Sequence, residues 1–217
     1  MDSSTPKKIA LIQTSTRAIR VGPTVAELVV ESFFQASSYS TVEITTIDVS
    51  AFKLPVFNEG IIPAMVPQYG QFEHEHSKAW SAAIARYDGY IFVSPEYNFG
   101  VPGGVKNAID YLYNEWIGKP ILVVTYGIMG GVNSSESLKK IFEGMKLRVA
   151  ETRPQLTFVG GGYGPDTQLA IGTGTLGEKT RELWKSDKMK GELVKGFEEL
   201  VRMLQTTVTS ETKAIWV

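Results

Sequence analysis

The sequence predicts a doubly wound α/β domain: a three-layer sandwich with a five-stranded parallel sheet in the order 2-1-3-4-5. Three observations carry this. Short apolar, β-rich runs alternate with amphipathic helical stretches along the chain. Five strands alternating with five helices imply a parallel sheet covered on both faces. The chain has 217 residues, 43% hydrophobic and 21% charged, which suits one domain with a full core. Right-handed crossovers then leave few strand orders to choose from.

The elements follow in order. Ile9 to Ile12 is a short buried strand, and residues 23–36 form a helix with Val25, Leu28, Val29 and Phe33 on one face. Pro23 suits its first turn, where a missing N–H costs nothing. Val42 to Ile47 is the second strand. A Pro-rich loop (Pro55, Pro63, Pro67) leads to a helix over 71–87, with Trp80, Ala83, Ile84 and Tyr87 at core spacing. Tyr90 to Val93 is the third strand and Val105 to Tyr113 the next helix. Pro120 to Thr125 is the fourth strand, and residues 134–147 form a helix with Leu138, Ile141, Phe142 and Met145 inward. A fifth strand within Leu147 to Phe158 is broken by Pro154. A Gly-rich loop over 160–177 and a helix over 178–205 complete a single domain spanning 8–205. Residues 1–7 are expected to be disordered. The tail, 206–217, is expected to be disordered or a partner-binding arm.

Composition removes several function classes. A net charge of -1 gives no footprint for nucleic acid or an anionic membrane. The absence of cysteine removes disulfides, thiolate metal sites and cysteine nucleophiles. The polar start, MDSSTPKK, and the short apolar run after it are neither a signal peptide nor a membrane span, so a cytoplasmic location is expected. His74-Glu75-His76 lacks HExxH spacing, and helical residues two apart do not face one another, so solvated histidines and no metal site are expected. Lys139-Lys140 and Lys185 to Lys190 read as solvated faces. Asp48 ends the second strand, where such folds bind ribose, but no GxGxxG precedes it.

Ligands of such sheets bind beyond the carboxyl ends of the strands, which directs attention to three loops. The first, Thr14 to Thr24, brings hydroxyls, main-chain N–H groups, Arg17 and Arg20 to a helix N-terminus, a favourable place for a phosphomonoester. A polar loop with two solvated arginines is an equal alternative on these residues alone. The second, Ser94 to Gly104, is stiffened by prolines and glycines and offers main-chain groups and aromatic rings to a flat heterocycle. Its alternative is a stiff turn burying Tyr97 and Phe99. The third, Thr125 to Ser134, carries Gly127, Gly130 and Gly131, which permit close main-chain approach to a planar ligand. Its N–H groups are placed to stabilise negative charge there, and Asn133 or Ser134 to cap the helix.

With these residues in view, the sequence resembles the NADPH-dependent FMN reductases, which include small fungal and bacterial quinone reductases and azoreductases. The resemblance rests on Thr14-Ser15-Thr16-Arg17 with Arg20-Val21-Gly22, and on Pro95-Glu96-Tyr97-Asn98, Pro102-Gly103 and Lys106-Asn107-Ala108-Ile109-Asp110. It covers residues 8–160 or so. It implies a flavodoxin-like fold, bound FMN, NADPH or NADH as co-substrate, a homodimer or tetramer, and ping-pong electron transfer to a quinone, free flavin, azo compound or ferric complex. It places Ser15, Arg17, Arg20, Val21, Gly22 and Thr24 at the FMN phosphate. Pro95, Glu96, Tyr97 and Asn98 fall beside the ring, as do Gly127, Gly130 and Gly131. Thr14 departs from the glycine that many members carry there.

The flavin would carry the chemistry, with no catalytic side chain required. Tyr97 and Phe99 are expected to border the acceptor. Trp116 is either a wall contributed by a partner subunit or ordinary packing, the second being slightly favoured. Two other roles compete: a flavodoxin-type electron carrier, disfavoured by the nearly neutral charge, and a scaffold that binds protein partners according to redox state.

Overall fold

The computed structural model describes residues 6–66 and 70–206. Residues 1–5 and 207–217 of the expected disordered ends therefore lie outside the described residues, and the first strand already includes Lys7. The strands are β1 (Lys7–Gln13), β2 (Val42–Asp48), β3 (Gly89–Pro95), β4 (Pro120–Gly127), β5 (Arg148–Val149) and β6 (Gln155–Thr157). The helices are α1 (Gly22–Phe33), α2 (Glu75–Ala85), α3 (Gly103–Asp110), α4 (Val132–Gly144), α5 (Pro165–Thr173), α6 (Glu178–Trp184) and α7 (Asp187–Gln205). Among the described residues no helix is long and apolar enough to cross a membrane.

All strand pairs are parallel, and the order is β2-β1-β3-β4-β5, with β6 also paired to β4. The fifth sheet position is thus one strand in two pieces. Arg148–Val149 pairs with Pro120–Ile121, and Gln155–Thr157 pairs with Thr125–Gly127. Between them lies Pro154, which has no N–H to give a ladder and supplies only its carbonyl to Thr125 N.

Alternation along the strands sorts the core into two layers. Ile9, Leu11, Ile91, Val93, Leu122, Val124 and Tyr126 face α1 and α7. There Phe33 and Phe197 stack with centroids 4.4 Å apart. Ala10, Ile12, Tyr90, Phe92, Ile121 and Val123 face the other way, toward Trp80, Trp116 and Phe142. Burying an aromatic side chain of this kind stabilises the fold by roughly 1.5–3 kcal/mol.

Three expectations need correction. The segment 160–177 is not a loop throughout, because Pro165–Thr173 is helical. The helix expected over 178–205 is two helices, broken at Ser186, whose hydroxyl accepts from Met189 N and so starts α7. His74 and His76 are half-buried and partnered rather than freely solvated. His74 is the extended N-cap residue of α2, so the helical spacing argument does not reach it, and the two rings stack at 5.2 Å. Both rings bond to Asn58, His74 through the main-chain carbonyl and His76 through the side-chain oxygen.

Candidate active site

The parallel register aligns the carboxyl ends of the three central strands. Gln13 lies opposite both Asp48 and Val93, and Pro95 lies opposite Tyr126. Beyond these ends opens a cleft of about 830 Å³, large enough for a sizeable organic ligand. Ser15, Arg17, Arg20 and Val21 line it from the first loop, Pro95 to Phe99 from the second, and Tyr126 to Met129 from the third.

The first loop is anchored at its start, where both the N–H and the hydroxyl of buried Thr14 donate to Val93 O. The turn that follows is open to an anion. Among the described residues, the main-chain N–H groups of residues 15–20 donate to no other group, and no side chain caps the start of α1. The two arginines differ. Arg20 is spent inside the protein, donating to Ser15 O at 2.7 Å, Asp48 Oδ2 at 2.6 Å and Ser50 Oγ at 2.9 Å. Arg17 lies over the Tyr97 ring at 5.3 Å, its charge at the mouth of the turn. Asp48 therefore serves the loop rather than a ribose. Gly22 and Thr24 lie outside the lining. A Cβ on Gly22 would collide with the Gln13 side chain, so close packing requires glycine at this first residue of α1.

The second loop makes a two-residue hairpin in which Tyr97 and Gly100 exchange main-chain hydrogen bonds. Asn98 and Phe99 between them both hold positive φ, 48° and 60°. This turn leaves the Phe99 ring 85% exposed at the cleft rim. The Tyr97 hydroxyl points the other way and meets Ser15 Oγ at 3.1 Å. Glu96 lines the cleft, but its carboxylate is already engaged by the protein. It accepts from Ser134 N at 3.0 Å and Asn133 Nδ2 at 3.4 Å, capping α4 and tying the second loop to the third.

Of the three glycines in the third loop, only Gly127 lines the cleft. Gly130 and Gly131 have φ of 73° and 79°, and their open faces meet the protein: Gln155 and Thr157 for Gly130, Thr125 for Gly131. Their glycine character serves a tight turn against the sheet. Sequence reasoning passed over Tyr126. Its phenol is buried beside the first loop. Burial, with Tyr97 adding to it, pushes its pKa above the ordinary phenol value, while Ser15, Arg20 and Arg17 draw it down. The hydroxyls of Ser15, Tyr97 and Tyr126 thus gather with two guanidinium groups at one end of the cleft.

Trp116 is absent from this site. It is fully buried in the second core layer, edge-on to Tyr90 at 4.9 Å, so its indole is unavailable to wall a pocket. A different wall appears instead. Phe158 follows β6, and Thr167, Ala170 and Ile171 of α5 close the cleft from the far side. Nothing in the three loop sequences announced these residues, because they arrive from another part of the chain.

The arrangement has two ends of opposite character. One is a cationic, hydroxyl-rich turn with open N–H groups, suited to a phosphate. The other is apolar and aromatic, suited to a flat ring. A phosphorylated planar heterocycle matches both.

Comparison with known proteins gives a consistent picture. Residues 7–162 match the family described as NADPH-dependent FMN reductase. The chain is 44% identical over 199 residues to an NAD(P)H-dependent FMN reductase of a Nectria species, covering 91% of this chain and 97% of that one. It is 40% identical over 151 residues to an NAD(P)H-dependent FMN reductase of Schizosaccharomyces pombe, covering 69% and 72% respectively. In fold it is similar to the flavoenzyme NAD(P)H:(acceptor) oxidoreductase of Paracoccus denitrificans, with a TM-score of 0.61, 18% identity and coverage of 91% and 98%.

Proposed function

Since the chain belongs to the NADPH-dependent FMN reductase family and is an FMN-dependent NAD(P)H oxidoreductase, we propose that the cleft beyond β1, β3 and β4 is where it holds FMN and brings a reduced nicotinamide and a small acceptor together in turn. The observation that carries this reading is the open turn at residues 15–20, whose N–H groups donate nowhere else among the described residues while Arg17 stands at its mouth. The residues present fit FMN. Ser15, Arg17 and the N-terminus of α1 would hold the phosphate, with the hydroxyls of Tyr97 and Tyr126 beside them. Pro95, Asn98 and Gly127 would border the ring.

When bound, FMN supplies the two-electron chemistry that links the nicotinamide to the acceptor. The chain itself orients and shields. Glu96 locks the second and third loops together, so the ring compartment keeps its shape when ligands exchange. Arg20 fixes the Ser15 carbonyl, which holds the phosphate turn in register with β2. Ile128, Met129 and Phe99, all exposed at the rim, give the second ligand an apolar surface to stack against. One compartment used successively by donor and acceptor gives ping-pong kinetics. A homodimer or tetramer and a cytoplasmic location accompany this reading.

The test is anaerobic addition of NADPH to the flavin-loaded protein, followed by steady-state kinetics. The reading expects loss of the visible flavin band with NADPH and parallel double-reciprocal lines with a quinone. A flavin band that persists under excess NADPH and NADH would overturn it.

A further inference from the structure

We infer that α5 selects the electron acceptor, favouring flat apolar molecules over hydrophilic anions; this rests on the cleft being the FMN site. The stretch matched to the family ends at residue 162, and α5 begins at Pro165, so this wall lies beyond the residues that the family match covers.

The helix crosses the carboxyl edge of the sheet. It starts just after Phe158, at the fifth sheet position, and ends at Gly174 against the first loop. Gly174 has φ of 72°, and a Cβ there would sit 3.0 Å from both N and O of Arg20. The start of the strap is tied down twice. Asp166 Oδ2 accepts from Thr180 N at 2.6 Å, and Thr167 Oγ1 donates to Gly161 O at 2.7 Å. It is a built wall, not a frayed loop.

Its chemistry is one-sided. The only charged residue of α5 is Asp166, already committed to capping α6. Ala170 and Ile171 line the cleft with Phe158, as do the exposed side chains of Ile128 and Met129. A planar ring placed against these side chains loses apolar surface to the protein. A hydrophilic anion gains nothing from these apolar side chains, and the cationic turn, which the C-terminal end of α5 adjoins, is where the phosphate would sit. Ile171 is 47% exposed, so changing it does not disturb the core.

The experiment compares the flavin-loaded parent with Ile171→Gln and with Leu169→Gln, a change on the same helix at a residue that does not line the cleft. The acceptors are menadione and ferricyanide, with FMN content, anaerobic reduction by NADPH, and menadione affinity by flavin-fluorescence quenching read alongside. For Ile171→Gln, the inference expects KM and Kd for menadione to rise about tenfold, as loss of apolar contact predicts. Ferricyanide KM and FMN content stay at parent values, and Leu169→Gln changes neither these nor the menadione values. Unchanged menadione affinity in Ile171→Gln, an equal rise for both acceptors, or loss of FMN would overturn it. A parent that takes up no FMN would defeat the underlying functional reading, a different result from a fully loaded variant with parental menadione affinity.

Discussion

The hydroxyls of Ser15 and Tyr97 lie 3.1 Å apart, joining the loop after β1 to the loop after β3 across 82 residues of sequence. This contact gives Tyr97 a place at the phosphate end of the cleft, in addition to the edge of the ring. Tyr97→Phe keeps the ring and removes the hydroxyl. FMN affinity is expected to fall by roughly threefold to tenfold, the effect of one hydrogen bond worth about 0.5–1.5 kcal/mol. Titration of the apoprotein with FMN, followed by fluorescence quenching, checks this.

Arg17 and Arg20 are expected to separate cleanly. Arg17→Ala removes a cation from the open turn and lowers FMN affinity roughly tenfold to a hundredfold, as loss of a charge-assisted contact predicts. The apoprotein's melting temperature stays put, because among the described residues Arg17 makes no hydrogen bond or ion pair and only lies over the Tyr97 ring. Arg20→Ala breaks three contacts, among them the part-buried pair with Asp48. It therefore lowers apoprotein stability by about 1–3 kcal/mol. Calorimetry of both apoproteins distinguishes them.

Gly131→Ala tests whether the third-loop glycines serve the fold. At φ of 79° an added Cβ would also fall 2.8 Å from Thr125 Cβ. The left-handed backbone and the clash together cost roughly 2–4 kcal/mol. Urea unfolding of the apoprotein is expected to show that loss in the absence of any flavin.

Lys119 makes stability depend on alkaline pH. Burial holds its pKa down to about 8, against opposing pulls from Asp88 and Glu115, while its ammonium donates to Ala85 O and Tyr90 Oη. The unfolded chain, with the ordinary lysine value near 10.5, binds more protons between these two pH values. Stability therefore rises with pH through that window, and the contribution is lost as pH falls through about 8. Relative to Lys119→Met, the parent is expected to gain up to about 3 kcal/mol between those limits. Denaturant unfolding of both proteins at pH 7.5 to 10.5, the window set by that shift, measures the difference.

The fold was legible because the central strands β1, β3 and β4 carry apolar runs ending in turn chemistry, and the long helices repeat their apolar residues on one face. The three cleft loops were legible for the same topological reason. What escaped was anything set by packing. The glycines at 160–164, 172, 174 and 177 read as a loop, yet Pro165 at the first turn and Gly174 just past the last are the ordinary marks of a helix. Trp116 sits near an aromatic cluster, and only the fold shows that it points into the core. Arg17 and Arg20 are alike in sequence; Asp48, brought alongside by β2, distinguishes them.

The central claim is that one cleft grips a phosphate at its polar end and a flat ring at its apolar end. Parallel titrations of the apoprotein with FMN and with riboflavin test it most directly. The account predicts one FMN per chain, bound about a hundredfold or more tighter than riboflavin, because only FMN engages the turn at residues 15–20. Equal affinity for the two, or no uptake of either, would contradict it.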